Sequence, residues 1–393
     1  MTPAALPDDH DVVLVSDLHM AAGAIDPFAA DAAFAALLDD LRARHAAGER
    51  PLRLVLLGDL LDFTLVEVDG RRLDPSIAGA IARLDRIAAA HGPVFAAFAR
   101  LTAAGVPVHV VPGNHDLELL AAPVFGRLHE LIAPAGGHVV LHPWIVHVPG
   151  VLYAEHGHQH HDINRVPGLL ERYDPAGWRP PAGTLFGELL LDLSSALGGA
   201  GDGVPGPAAV ARAVRRRPAR LPTAIAFGAR FTAALLRTTV AMSRDARASQ
   251  AARHQARARA HAATVGLPEA ALAALATLSV TSPVGVARRL LRPGRGADYM
   301  ALAAGRVHAT LSSAGAAVPH YVFGHTHVAA DRALASGVDA PRYLNGGAWS
   351  QLAAAGSPRQ GYVDITREAG AAVARLRAWE EVSAPSRAAP PAP

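Results

Sequence analysis

Short apolar segments that alternate with helical patterns restrict the possible folds of this chain most. The strand-like segments are Val12–Ser16, Leu52–Leu57 and Val106–Val111. Between them, apolar residues recur at helical spacing in Ala29–Arg44, Ser76–Ala90 and Val94–Ala104. Buried strands that alternate with helices are typical of a sheet with parallel strands. We therefore expect an α/β fold.

A long helical segment interrupts this pattern. Val139–Val148 and Val151–Ala154 predict a hairpin around Pro149-Gly150, and Ala-rich helical patterns then dominate from residue 162 to about residue 318. Strand patterns return at His320–Phe323, Arg342–Leu344, Tyr362–Ile365 and Val373–Leu376. The sequence thus predicts a core of residues 1–161 plus 319–380, a helical insertion over 162–318, and a Pro- and Ala-rich disordered tail over 383–393.

Five motifs rich in metal-ligand side chains follow apolar strands. They are Asp17-x-His19, Gly58-Asp59-x-x-Asp62, Gly113-Asn114-His115-Asp116, His156 in Glu155-His156-Gly157-His158, and Gly324-His325-Thr326-His327. A lone His after a strand is usually a surface residue, and a lone Asp is usually a helix cap. Open α/β sheets, however, bind ligands at the carboxyl ends of their strands. Five such motifs in order therefore predict one shared site.

The chain contains no cysteine, so a metal here has to be held by His, Asp, Glu or Asn. Two cations about 3.5–4 Å apart can bind phosphate oxygens and activate a water molecule. Such a pair needs several ligands, one of them a carboxylate shared by both ions. The candidates for this set are Asp17, His19, Asp59, Asn114, His156, His325 and His327.

The order of the motifs resembles that of the calcineurin-like metallophosphoesterases: D-x-H, G-D-x-x-D, G-N-H-[DE], a later His and G-H-x-H. The resemblance covers residues 1–161 and 319–380 and does not extend across the insertion. It implies an α+β-type sandwich within the α/β class, in which two β-sheets are flanked by helices and the large α-helical insertion forms a cap. It also implies a hydrolase that cleaves phosphate ester or pyrophosphate bonds.

The resemblance implies a role for each matching residue. Two divalent ions, each Mn, Fe, Zn, Ni or Co, would share Asp59. The first would be held by Asp17, His19 and His327, and the second by Asn114, His156 and His325. His115 would bind the phosphate or protonate the leaving group, with Asp116 orienting its ring. Both are therefore catalytic candidates.

Several neighbouring residues have other expected roles. Asp62 is expected to support the ligands, and Asn345 to shape a turn. His158 is equally consistent with a ligand, a substrate contact or a loop residue, whereas His160 and His161 are expected to be solvated. The candidates for substrate binding are Asn114, His115, His158, Asn164 and Arg165.

The insertion carries an excess of positive charge. Residues 162–310 contain 20 Arg and 9 acidic residues, whereas the rest of the chain contains 17 Arg and 25 acidic residues. The Arg-rich stretches, at 215–220 and 253–259, are open to two interpretations: a solvated helical face, or a peripheral contact with an anionic membrane or polyanion. Aromatic residues are scarce in the insertion, which disfavours a specific nucleic-acid partner.

Three functions remain open from the sequence. The first is hydrolysis of a phosphorylated lipid or nucleotide-sugar-lipid, because bacterial UDP-2,3-diacylglucosamine pyrophosphatases are similar in motif order and cover acyl chains with a helical element. The second is a phosphodiesterase or phosphatase acting on soluble nucleotides or small phosphoesters. The third is a non-catalytic binding protein, which the complete ligand set disfavours. No signal peptide or uninterrupted apolar span is evident, so the expected location is the cytoplasm, with a possible site at the membrane periphery.

Overall fold

A computed structural model describes residues 10–48, 50–72, 74–161, 164–166, 265–278, 298–337, 339–352 and 360–379, with a few single positions elsewhere. Most of the expected insertion and the whole expected tail lie outside these residues. The proposed boundaries at 162, 318 and 383 therefore stay predictions, as does the membrane-facing role of the Arg-rich stretches at 215–220 and 253–259.

The first sheet has six strands in the order β11-β10-β1-β2-β3-β4. Strands β1 to β4 pair in parallel, and β10 and β11 are antiparallel additions at one edge. The strands are β1 Asp11–Val15, β2 Leu52–Leu57, β3 Val108–Val111, β4 Val139–Leu141, β10 Gly361–Glu368 and β11 Ala371–Ala378.

The second sheet has five strands in the order β5-β6-β7-β9-β8. The parallel strands β6, β7 and β9 occupy its centre, with β5 and β8 pairing antiparallel at the edges. The strands are β5 Ile145–Val148, β6 Leu152–Glu155, β7 His320–Phe323, β8 Ala330–Ala333 and β9 Arg342–Asn345.

Side chains that alternate along the strands build separate layers of core. In β1, Val13 and Val15 pack towards helices, whereas Val12 and Leu14 pack between the two sheets. This follows from the two-residue period of a strand, whose successive side chains point to opposite faces. The central strands are therefore apolar throughout, because both of their faces are covered.

Helices cover the outer face of each sheet. On the first sheet they are α1 Asp31–Ala47, α2 Ile77–Ala90, α3 Gly92–Ala103 and α4 Ala122–Ile132. On the second sheet, α5 Glu269–Leu278 and α6 Asp298–Ser313 supply Leu272, Met300 and Val307 to a core with Tyr321 and Phe323. Two mixed sheets flanked by helices confirm the expected fold class.

Two details of the strands differ from expectation. The single strand expected over Val139–Val148 is two strands, β4 and β5, which belong to different sheets and are separated at His142–Trp144. Strand β8, Ala-Asp-Arg-Ala, was not expected, because it is an exposed edge strand without alternating apolar residues. Across the described residues, no helix is both long and apolar enough to cross a membrane.

Candidate metal centre

The five motifs meet where the two sheets come together at the carboxyl ends of their strands. The loops after β1 and β2 run side by side, because Asp17 N donates to Gly58 O (3.1 Å) and His19 N donates to Asp59 O (2.9 Å). The loop after β7 joins them, because His325 N donates to both carboxylate oxygens of Asp17 at 3.0 and 3.1 Å. The backbone thus assembles residues that are far apart in the sequence.

Five of the seven candidate ligands have a left-handed backbone. Their φ angles lie between 51° and 68°, a region that residues other than glycine rarely adopt. The five are Asp17, His19, Asp59, His325 and His327. Such strain persists only where the surrounding structure enforces it, and it concentrates at functional sites.

One group of ligand atoms comes from Asp17, His19 and His327, all within 4.8 Å of one another. His19 Nε2 lies 3.1 Å from His327 Nε2, which in turn lies 3.3 Å from Asp17 Oδ1. Two imidazole nitrogens and a carboxylate oxygen that face one point are a suitable donor set for a divalent transition metal.

A second group comes from Asp59, His156 and His325, again within 4.8 Å. Asp59 Oδ2 lies 3.1 Å from His156 Nε2 and 3.6 Å from His19 Nε2. Asp59 therefore contacts imidazoles of both groups, as a carboxylate shared between two cations would.

In three of these histidines, the ring nitrogen that faces away from the other ligand atoms contacts an oxygen atom, which orients the ring. His156 Nδ1 lies 2.9 Å from Leu57 O and His327 Nδ1 lies 3.0 Å from Leu352 O, while His19 Nδ1 lies 3.1 Å from Asp62 Oδ2. Metal-binding histidines almost always use their second nitrogen in this way, which fixes the tautomer and the ring plane.

One buried atom at the site also fits a metal. Among the described residues Asn114 Oδ1 has no hydrogen-bond partner, although buried polar atoms usually have one. Asn114 is 3% exposed and lies next to His115, whose backbone N donates to Asp59 Oδ1 at 2.9 Å. A cation would satisfy the Asn114 oxygen, so the residues present fit divalent ions.

The two ligand carboxylates, Asp59 and Asp17, are held in their charged form. Burial raises the pKa of Asp59, but the charges of His156 and His115 outweigh it, so the pKa lies well below its usual value. Burial also raises the pKa of Asp17, and its hydrogen bond to His327 and the charge of that ring lower it overall. Ionised carboxylates are the form that binds cations.

The expectation that Asp116 orients His115 is wrong, because Asp62 contacts that ring. His115 Nδ1 lies 3.0 Å from Asp62 Oδ2. Both oxygens of Asp116 instead accept backbone N–H groups, from Gly113 at 2.6 Å and from Leu60 and Leu61 at 2.8 and 3.3 Å. Asp116 therefore clamps the loop after β2 to the loop after β3.

His115 itself lies at the site as expected, with 28% of its side chain exposed. Burial lowers its pKa, but the charges of Asp62 and Asp59 outweigh that effect and raise the pKa to about 10. Bound cations would oppose this rise by repelling the imidazolium proton. The contact between Nδ1 and Asp62 leaves Nε2 as the nitrogen for a substrate oxygen.

His160 and His161 were expected to be solvated, but both contact other groups near the site. His160 Nε2 lies 2.7 Å from the buried Glu155, and His161 Nδ1 lies 3.0 Å from His325 Nε2. His158 is 1% exposed, with its ring centroid 5.4 Å from that of His156. No sequence signal separated these three positions, because histidines this close together share the same local pattern.

Two further candidates lie on the next turn. Backbone N–H groups of Asn164 and Arg165 donate to His161 O at 3.1 and 3.0 Å. Asn164 Nδ2 lies 3.3 Å from His325 Nε2, at the edge of the second group. Contact of either residue with a substrate stays a prediction.

Asn345 stabilises the Gly324-His325-Thr326-His327 turn. Its side-chain amide donates to Gly324 O at 2.8 Å and to Thr326 Oγ1 at 3.1 Å, and its side-chain oxygen accepts from Gly347 N at 2.9 Å. This is the structural role expected of it.

Comparison with known proteins agrees with this geometry. Residues 10–184 match the family model of the calcineurin-like phosphoesterases. The chain contains a calcineurin-like metallophosphoesterase domain. It is accordingly a hydrolase that cleaves phosphoester bonds with divalent metal ions.

Other comparisons add little detail. No protein of curated function matches this metallophosphoesterase. Among solved structures, it is similar to the crystal structure of phosphopantetheinyl hydrolase from Mycobacterium tuberculosis, with 12% identity, coverage of 87% of this chain and 91% of that chain, and a TM-score of 0.24. A TM-score this low does not establish a shared arrangement.

Proposed function

We propose that this metallophosphoesterase uses two divalent ions to hydrolyse phosphate ester or pyrophosphate bonds. The observation that carries the proposal is the position of Asp59 between two groups of ligand atoms, 3.1 Å from His156 Nε2 and 3.6 Å from His19 Nε2. In this proposal Asp17, His19 and His327 hold one ion, and Asn114, His156 and His325 hold the other.

The chain's own residues would divide the chemistry as follows. Two cations, when bound, supply the positive charge that neutralises phosphate oxygens and lowers the pKa of a water molecule. His115 presents Nε2 to the substrate while Asp62 holds Nδ1, so His115 can bind a phosphoryl oxygen or give a proton to the leaving oxygen. The backbone N–H of His115 donates to Asp59 Oδ1 at 2.9 Å. This hydrogen bond holds His115, the proposed proton donor, next to the carboxylate shared by the two ions.

Among substrates, we favour a phosphorylated lipid or nucleotide-sugar-lipid over a soluble nucleotide. Support comes from two exposed apolar side chains in loops connected to the first ligand group: Leu352 is 49% exposed, and its carbonyl contacts His327. Ile25 is 43% exposed, in a neighbouring loop joined by a hydrogen bond from Gln351 N to Pro27 O at 2.8 Å. These side chains would meet the apolar part of a substrate whose phosphate reaches the metals.

The soluble-nucleotide alternative makes a different prediction about activity. A phosphorylated lipid should be cleaved faster in mixed micelles or vesicles than as a dispersed short-chain analogue, whereas a soluble nucleotide should be cleaved equally with or without them. Replacing Leu352 and Ile25 together by Ser should slow only the lipid reaction. If the double variant cleaves the lipid as fast as the unsubstituted protein does, the lipid proposal is contradicted.

The number of metal ions can be tested directly. Purified protein loaded with Mn²⁺ should hold about two equivalents, and Asp59→Asn should hold fewer and lose turnover. Asp69→Asn is a suitable control, because Asp69 also has a left-handed backbone but lies in an exposed turn. Full activity after exhaustive dialysis against a strong chelator would refute the two-metal proposal.

A peripheral membrane contact through the Arg-rich insertion is part of the same proposal. Its support is the charge balance of residues 162–310, with 20 Arg and 9 acidic residues. Charge reversal at Arg215, Arg216 and Arg217 should weaken binding to vesicles that contain anionic lipid and leave hydrolysis of a small nitrophenyl ester unchanged. Unchanged vesicle binding would favour a solvated face.

A further inference from the structure

His325 differs from the other imidazoles of the two ligand groups in the partner of its second nitrogen. His19, His156 and His327 use a carboxylate or a backbone carbonyl. His325 Nε2 instead lies 3.0 Å from the Nδ1 atom of another imidazole, that of His161. Two imidazoles can share a hydrogen bond only if one nitrogen carries a proton and the other does not.

Metal binding would decide which nitrogen carries that proton. If His325 binds a cation through Nδ1, its Nε2 is protonated and donates to His161 Nδ1. His161 is then protonated at Nε2, and its Nδ1 is the acceptor that fixes the ring plane of His325. Asn164 Nδ2 is a second donor near this acceptor, 2.9 Å from His161 Nδ1 and 3.3 Å from His325 Nε2, so the two donors share one lone pair.

His161 is itself held by the start of helix α6. Its ring stacks on Tyr299, with centroids 5.5 Å apart and planes 25° apart. The next residue, Met300, is fully buried and packs against the same loop. A side chain at Gly157 would place its Cβ only 2.8 Å from Met300 Cε. The first turn of α6 thus contacts the loop after β6 at two points.

We propose that His161 is a positioning residue for the metal ligand His325, and that Tyr299 holds it in place from helix α6. This rests on the proposed two-metal function. In the described part of the chain, His161 belongs to none of the groups of acidic and imidazole side chains with converging ligand atoms. The ring of His161 contacts the metal ligand His325, so its effect on the metal acts through His325. Loss of the acceptor on His161 should lower the affinity for one metal ion and leave the affinity for the other unchanged.

Two variants separate the acceptor from the stacking. His161→Asn places a side-chain oxygen near the position of Nδ1 and so keeps an acceptor, but it loses the ring that stacks on Tyr299. His161→Phe keeps the stacked ring and loses the acceptor. His138→Phe is the matched control, because His138 is an exposed histidine outside the site.

The readout is metal affinity, measured by titration of metal-free protein with Mn²⁺ against a competing chelator, together with the absorption spectrum of the Co²⁺ form. We expect His161→Phe to weaken one of the two ions by about 10–100-fold and to change the Co²⁺ spectrum. The Asn variant should keep both affinities close to those of the unsubstituted protein, as should His138→Phe. If circular dichroism shows that the Phe variant does not fold, His161→Leu, which also removes the acceptor, is used in its place.

The possible failures can be told apart. If the unsubstituted protein binds fewer than two ions, the two-metal function is refuted. If it binds two ions and the Phe and Asn variants both bind them equally well, only the role of His161 is refuted. Equal weakening of both ions by both variants would also refute it, because it would indicate general damage to the loop.

Discussion

Replacement of Gly113 by Ala tests whether the loops position the shared carboxylate as tightly as the distances indicate. A Cβ at residue 113 would lie 2.1 Å from Asp59 Oδ1 and 2.6 Å from Asp59 N. Ordinary contacts to a Cβ begin at about 3.4 Å, so the carboxylate would have to move by about 1 Å. The backbone nitrogen of Asp59 cannot rotate away as a side chain can, so the loop that carries Asp59 must shift as well.

A displacement of that size has a large effect on chemistry and a smaller one on folding. A misplacement of about 1 Å at a reacting centre can reduce turnover by about 10²-fold. Overpacking of a filled site costs about 1–3 kcal/mol of folding stability. We therefore expect Gly113→Ala to fold, to bind less metal and to lose most of its activity.

The assay compares hydrolysis of a nitrophenyl phosphodiester, metal content and urea unfolding for Gly113→Ala and Gly126→Ala. Gly126 lies in helix α4, and apart from its chain neighbours and the backbone of its own helix no atom lies within 4 Å of its Cβ position. Its replacement should leave activity unchanged and stabilise the helix by about 0.5–1 kcal/mol. If Gly113→Ala keeps the activity and metal content of the Gly126→Ala control, the close approach to Asp59 is not what requires glycine.

Two further predictions concern histidines. His115→Ala should keep metal binding and slow turnover by about 10²–10⁴-fold on a poor leaving group, and by less on nitrophenolate; an equal loss on both would indicate phosphate binding rather than proton donation. Burial lowers the pKa of His91, but hydrogen bonds to Asp26 and Asp31 outweigh it and raise the pKa to about 9. This stabilisation is complete below about pH 6.5 and is lost as the pH rises through about 9, so His91→Gln should cost about 2 kcal/mol at pH 6 and much less at pH 10. Urea unfolding of both proteins at the two pH values measures the difference in their free energy of unfolding. If that difference does not change with pH, the contribution of the His91 charge is refuted.

The sequence predicted the central strands well, because those strands are buried on both faces and read as continuous apolar runs. It did not predict β8, whose Ala-Asp-Arg-Ala residues are mostly exposed. It also joined Val139–Leu141 to Ile145–Val148, although the chain passes from one sheet to the other between them. A change of sheet leaves no signal in an apolar pattern, since both strands need the same kind of residue.

The motifs predicted which residues converge but not all of their partners. The family resemblance implied that Asp116 orients His115, yet Asp116 accepts backbone N–H groups of two loops instead. Asp62, three residues after Asp59, lies opposite His115 because the chain turns into a short 3₁₀ helix at Phe63. Contacts between side chains of different loops depend on the conformations of those loops. The spacing of residues within one motif does not determine these conformations.

The strained loops of the site connect its chemistry to its stability. Left-handed backbone at a residue other than glycine costs about 1–3 kcal/mol, and Asp17, Asp59 and His325 are among the ligands that adopt it. Hydrogen bonds such as those from His325 N to Asp17 hold the loops in this form. Because the ligands converge only in the folded state, cations that bind them stabilise the fold as well. The contacts that align the donors for a metal ion therefore make the stability of the loops depend on that ion. A ligand loop that relaxed in the absence of metal would lose its backbone strain and its donor geometry together.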